Sequence, residues 1–103
     1  MNIQNRRLHE RKALKVKVVF EDEKGEGVFY VYSKDISLGG ILLSSSIPVK
    51  IGTFLLISFE LPIYKRPVRV TGEVVRVGDG GVGVRFVGLK KSVFKQLWVA
   101  ICR

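Results

Sequence analysis

The fold this sequence predicts is mostly β: a small six-stranded antiparallel barrel, Greek-key or split in type, closed by a C-terminal amphipathic helix. Three observations predict it. Six short runs rich in alternating or β-branched residues are separated by turn residues. After residue 88 the apolar period changes from two to about 3.6. The length, 103 residues, suits one domain with one real core.

The elements follow in order. LKVKVVF (14–20) alternates, so Leu14, Val16, Val18 and Phe20 share a buried face while Lys15 and Lys17 stay in water. EDEKGEG (21–27) is an acidic, glycine-punctuated hairpin loop. GVFYVYS (27–33) has the aromatic and β-branched content of a strand, expected to face the core on at least one side. KDISLGG (34–40) reads as a turn, GILLSS (40–45) as the next strand, and SIPVKIG (46–52) as a connection. TFLLISFEL (53–61) is apolar enough to be covered on both faces for part of its length.

Pro62 and Pro67 bracket a loop, because proline cannot donate to a central ladder. In RPVRVTGEVVRVGD (66–79) the valines slip phase, which predicts a bulge or bend near Gly72–Val75. GDGG (78–81) is a tight turn into VGVRFVG (82–88). In LKKSVFKQLWVAICR (89–103) the stripe Val93, Phe94, Leu97, Trp98 and Ile101 marks a helix laid on the barrel, with Lys90, Lys91 and Lys95 outward. The expected organisation is a single domain: a basic arm at 1–13, the barrel at 14–88 and the helix at 89–103.

Composition narrows the function. The net charge is +9, distributed as +5 over residues 1–17, −3 over 18–63 and +7 over 64–103. Such an excess concentrates anions and favours phosphate-bearing partners, though it equally serves solubility. No apolar run approaches the roughly 20 residues of a membrane span, and the N-terminus lacks the apolar stretch of a signal peptide. The single cysteine, Cys102, cannot make an internal disulfide, so the expected location is the reducing cytoplasm.

Catalysis is poorly supplied, and the expectation is a protein that is not an enzyme. His9 is the lone histidine, set among charges with no group spaced to orient it. One Cys and one His cannot build a structural zinc site, and hairpin solubility accounts for Glu21, Asp22, Glu23 and Glu26. GDGGVGVRF lacks the Lys-Ser/Thr of a Walker loop. No metal or cofactor is expected.

Two stretches carry recognition chemistry. In RRLHER, the planar fork of arginine matches two adjacent acceptors, such as guanine N7 and O6 or a phosphate. Arg7 and Arg11 share a face if helical, or reach points about 13 Å apart if extended. An ordinary charged arm is the plain alternative. In DISLGG, Asp35 and Ser37 can build a turn unaided, yet a carboxylate there also suits guanine N1–H and N2–H₂, while Gly39 and Gly40 would let backbone approach a ligand.

The ordered pair resembles the PilZ domain, the family of bacterial cyclic di-GMP receptors. RRLHER is similar to its RxxxR motif through Arg7 and Arg11, with Arg6 just ahead; DISLGG is similar to its [D/N]xSxxG motif through Asp35, Ser37 and Gly40. GVGVRFVGL resembles the family's usual ending, so the likeness covers nearly the whole chain. It implies that the arginine arm folds over cyclic di-GMP and pins it against the barrel. Arg7 and Arg11 would read guanine edges or neutralise phosphates, and Asp35 would accept from guanine donors. Ser37 would bond nearby, and Gly39–Gly40 would make room. Arg6 adds a stacking plane that would favour a stacked ligand dimer. The closed arm would form a surface for an unidentified downstream protein. Two other readings stand: a basic OB- or SH3-like barrel binding single-stranded nucleic acid, and a PilZ-like adaptor that has lost its ligand. The first is disfavoured because the arm lacks interleaved aromatics, and because Phe29, Tyr30 and Tyr32 lie in a strand with a core-facing side.

Overall fold

The computed structural model describes residues 11–22, 27–44, 49–62 and 66–102. In these residues the chain forms β1 (Arg11–Ala13), β2 (Lys17–Asp22), β3 (Val28–Ser37), β4 (Gly40–Leu43), β5 (Phe54–Phe59), β6 (Val68–Gly78), β7 (Gly81–Val87) and α1 (Lys91–Cys102). Around the barrel the antiparallel neighbours run β3-β2-β5-β6-β7-β4, and a β3–β4 pairing closes the ring. β1 is one strand more than the sequence pattern indicates, and it extends the sheet along the far half of β3.

Alternation does most of the work. Inward residues of each strand meet in one core that includes Val18, Phe20, Ile36, Leu43, Ile57 and Val74. Lys15 and Lys17 are exposed as expected, and Leu14 and Val16 are half-buried against the core. The slip in the sixth strand is a bulge: pairing with β7 shifts register between Val74 and Arg76, leaving Val75 as the extra residue. The hairpin that follows pairs Gly78 with Gly81. Gly81 has φ of 125°, and a Cβ there would lie 2.1 Å from the Leu43 carbonyl oxygen.

Three expectations change. First, Lys34–Ser37 is strand rather than turn, because Ile36 is buried in the core while β1 and β4 pair with this stretch from either side. Only Leu38 and Gly39 separate β3 from β4. Second, strand structure starts at Arg11, inside the expected arm, since the longer β3 offers it a ladder. Third, β5 is not covered on both faces: Leu56 is 48% and Phe54 39% exposed. The helix packs against β3 and β6 instead, through Leu97, Ala100 and Ile101. Phe94 sits on the margin of that stripe and is exposed.

The aromatic strand faces the core on one side, as expected, and water on the other. Phe29 stacks on buried Phe20 at 5.1 Å between centroids, but Tyr30 and Tyr32 point out, 65% and 49% exposed.

One buried group had no signal in the sequence. The Ser33 hydroxyl accepts from the Val16 amide (3.0 Å) and donates to the Leu14 carbonyl (2.5 Å), spanning the break between β1 and β2. It satisfies backbone groups that the interrupted ladder would leave orphaned. Lys12 Nζ donates to the Ala100 carbonyl at 3.1 Å, tying β1 to the last turn of α1, where a cation suits the helix dipole.

Candidate functional site

Strand register brings the second motif and part of the first onto one outer face. Ser37 lies opposite Arg11, and Ala13 opposite Asp35. Arg11 and Asp35 are therefore diagonal neighbours, and their side chains form an ion pair. The sequence separates them by 24 residues. Arg11 keeps 53% of its side-chain surface in water and Asp35 24%, so the pair is half open and within reach of a ligand.

Ser37 builds the turn. Its buried hydroxyl accepts from the amides of Gly39 (3.2 Å) and Gly40 (3.1 Å), and it lies 3.4 Å from the Gly40 carbonyl, to which it can donate. Gly40 is required by packing: a Cβ would sit 2.2 Å from the Val84 carbonyl oxygen, so only glycine lets β4 pair this closely with β7. Gly39 is exposed, and a Cβ there would meet nothing nearer than the Ser37 hydroxyl at 3.9 Å. Its carbonyl accepts from the Phe86 amide at 2.8 Å. Arg6 and Arg7 lie outside the described residues.

The same register adds residues that sequence reasoning missed. Asp35 pairs with Leu42, Leu42 with Gly83, and Gly83 with Arg76, which aligns one row across four strands. In the next row Gly40 pairs with Arg85 and Arg85 with Glu73. Gly83 has no side chain, and Arg76 lies across it: a Cβ built there would be 3.3 Å from Arg76 Cβ. Arg85 Nη2 donates to Glu73 Oε1 at 2.6 Å. Arg76 makes no ion pair among the described residues. Alternation in GVGVRF puts Arg85 outward, but nothing local says that β7 lies beside β4.

These groups border a concavity of about 670 Å³ lined by Arg11, Ser37, Gly39, Gly40, Arg76 and Arg85, among others. Its size is that of a small-ligand site. Three guanidiniums and three glycines are among its lining residues; Asp35 and Glu73 are not, and they reach it through their ion pairs with Arg11 and Arg85. The chemistry is that of anion binding with flanking hydrogen-bond acceptors.

The sequence matches the family model described as "PilZ domain" over residues 5–101. The chain belongs to the PilZ domain family. PilZ domains are binding domains that generally serve as cyclic di-GMP receptors or adaptors. Solved structures agree in fold. The PilZ domain of CeSA from a cellulose-synthesizing bacterium aligns with TM-score 0.73 and 17% identity, over 87% of this chain and 93% of that one. The Bacillus subtilis inhibitor of motility MotI/DgrA gives 0.73 and 17%, over 85% of this chain; the alignment takes in just 46% of that longer chain. The PilZ domain of Escherichia coli YcgR, solved with c-di-GMP, gives 0.68 and 16%, over 89% and 86%. At these identities the likeness is one of fold. A search of curated proteins finds no match. Among the described residues no helix is long and apolar enough to cross a membrane.

Proposed function

We propose that this PilZ domain is a cyclic di-GMP receptor whose ligand enters the concavity between the Arg11–Asp35 pair and Arg76/Arg85. The observation that carries the reading is the ion pair itself, which joins the two motifs at the rim of a ligand-sized hollow. In the free protein each partner satisfies the other. A guanine offers the same two interactions: its N1–H and N2–H₂ donate to Asp35 in place of Arg11, and its N7 and O6 accept the freed arginine fork. Exchange of this kind leaves both Asp35 and Arg11 hydrogen-bonded in the complex.

Arg7 and Arg6 precede Arg11 by four and five residues, close enough for an arm to close over the ligand. Ordering such an arm costs about 1–2 kcal/mol per residue, which ligand contacts must offset. Arg76 and Arg85 face phosphates from the opposite bank of the hollow. Arg6 supplies a further plane, which favours two stacked ligand molecules. The closed arm is then a new surface for a partner protein.

Thermal melting tests the reading with cyclic di-GMP, GTP and a short oligonucleotide, each at two salt concentrations. The receptor gains stability with cyclic di-GMP, by about 2.7 kcal/mol at a hundredfold excess over Kd. Arg7→Ala with Arg11→Ala removes that gain and lowers the ligand-free melting point by a few degrees at most, the cost of the half-exposed Arg11–Asp35 pair. A chain indifferent to cyclic di-GMP at every concentration is an adaptor, and the proposal fails. Calorimetry checks stoichiometry: one ligand per protein, unchanged in Arg6→Ala, rules out the stacked dimer.

A further inference from the structure

We propose a second binding site, for single-stranded nucleic acid, on the outer face of β2, β3 and β5. It does not depend on the cyclic di-GMP reading. Tyr30 and Tyr32 alternate along β3 and so project from the same side, about 6.6 Å apart along the strand. Lysines from the neighbouring chain segment sit over both rings: Lys15 Nζ is 4.9 Å from the Tyr32 centroid and Lys17 Nζ 5.4 Å from that of Tyr30. Register extends the surface. Tyr30 pairs with Val19, Val19 with Ser58, and Ser58 with Arg69, a row of four strands about 14 Å across. The same row borders a hollow of about 400 Å³ whose lining includes Val19, Glu21, Val28, Leu56 and Arg69 but neither tyrosine.

This is the arrangement the basic arm lacks, aromatic planes interleaved with cations on a rigid sheet. A base stacks on a tyrosine; the ammonium that covers the ring in the free protein moves to the neighbouring phosphate. Glu21 gives a base amino group an acceptor, as carboxylates do for cytosine N4. The charges argue for this occupant over others. Lys15, Lys17 and Arg69 outnumber Glu21 and Glu60, so a second copy of the chain would bring like charges together. Protein interfaces are depleted of lysine at their centres, whereas here lysines cover the central rings. A duplex would hide its base faces from the tyrosines.

The test is fluorescence anisotropy with labelled short oligouridylate and oligothymidylate at 50 and 200 mM salt, on the full chain, with Tyr30→Ala/Tyr32→Ala alongside. Both oligonucleotides bind, and the double variant weakens binding about tenfold or more while its charge and its response to cyclic di-GMP stay as they were. Photo-crosslinking with a 4-thiouridine oligonucleotide supplies a readout that needs no variant, and the adducts map to Tyr30 or Tyr32. Absence of binding at 50 mM salt overturns the proposal. So does binding that falls with salt yet ignores loss of both tyrosines, which is plain polyanion attraction. Equal competition by duplex DNA, polyglutamate or anionic vesicles assigns the face to another partner and overturns it as well.

Discussion

The two halves of β3 make an instructive pair. Its first half, Val28–Tyr32, turns tyrosines and a valine to water; its second half, Ser33–Ser37, is buried or half-buried apart from Lys34. The irregularity between Ser33 and Asp35 in the pairing with β4 separates them. Beyond it, β1 on one side and β4 on the other hold Asp35 and Ser37 firmly. Before it, lysine-capped rings stand on an open surface. One continuous strand thus carries a pre-set polar rim and a separate aromatic platform. A polar site needs fixed geometry from several strands, whereas a stacking face needs only exposed planes.

Substitutions can break that contrast at graded cost. The largest effect is expected at Gly40→Val. A Cβ there meets Val84 backbone at 2.2 Å, so β4 must leave β7; unfolding by urea will show a loss of about 3 kcal/mol or no folded protein. Ser33→Ala comes next, at about 2 kcal/mol, because the Val16 amide loses its acceptor inside the barrel wall. A shift under half of that would show that water takes the place of the hydroxyl.

Arg11→Ala has a small stability effect, about 0.5–1 kcal/mol, since the ion pair it removes is half exposed. Its effect on cyclic di-GMP affinity is expected to be much larger, and calorimetry separates the two. Arg76→Ala sharpens the comparison further. Lying across Gly83 with no ion partner among the described residues, Arg76 is dispensable for folding, so a loss of ligand affinity with an unchanged melting point marks it as part of the site. The smallest effect belongs to Tyr30→Ala: within about 0.5 kcal/mol in stability and none on cyclic di-GMP, because the ring is 65% exposed. Any drop in cyclic di-GMP affinity there would mean that the halves of β3 are coupled.

Much of this was legible beforehand. Alternation, β-branched and aromatic content and turn residues located the six barrel strands, the valine phase slip pointed to a bulge near Gly72–Val75, and the change of period located α1. Arg6, Arg7, Arg11, Asp35, Ser37, Gly39 and Gly40 were singled out through the resemblance to the family's two motifs; the last five lie on or beside one rim, and Arg6 and Arg7 fall outside the described residues. What each does there was less legible. Gly40 reads as room for a ligand, yet the structure needs it for strand approach. Ser37 reads as a turn builder or as a ligand contact, and its hydroxyl is engaged in the turn.

By itself the amino-acid order determined periodicity, turn chemistry and charge, because these depend on residues within a few positions of one another. Only the tertiary structure decided which strands are neighbours. That choice set Arg76 and Arg85 facing the hollow, paired Arg11 with Asp35 and left Tyr30 and Tyr32 in water. The pairings of β2 with β5 and of β4 with β7 join segments far apart in sequence through backbone hydrogen bonds that are the same for every side chain, so no local pattern can announce them.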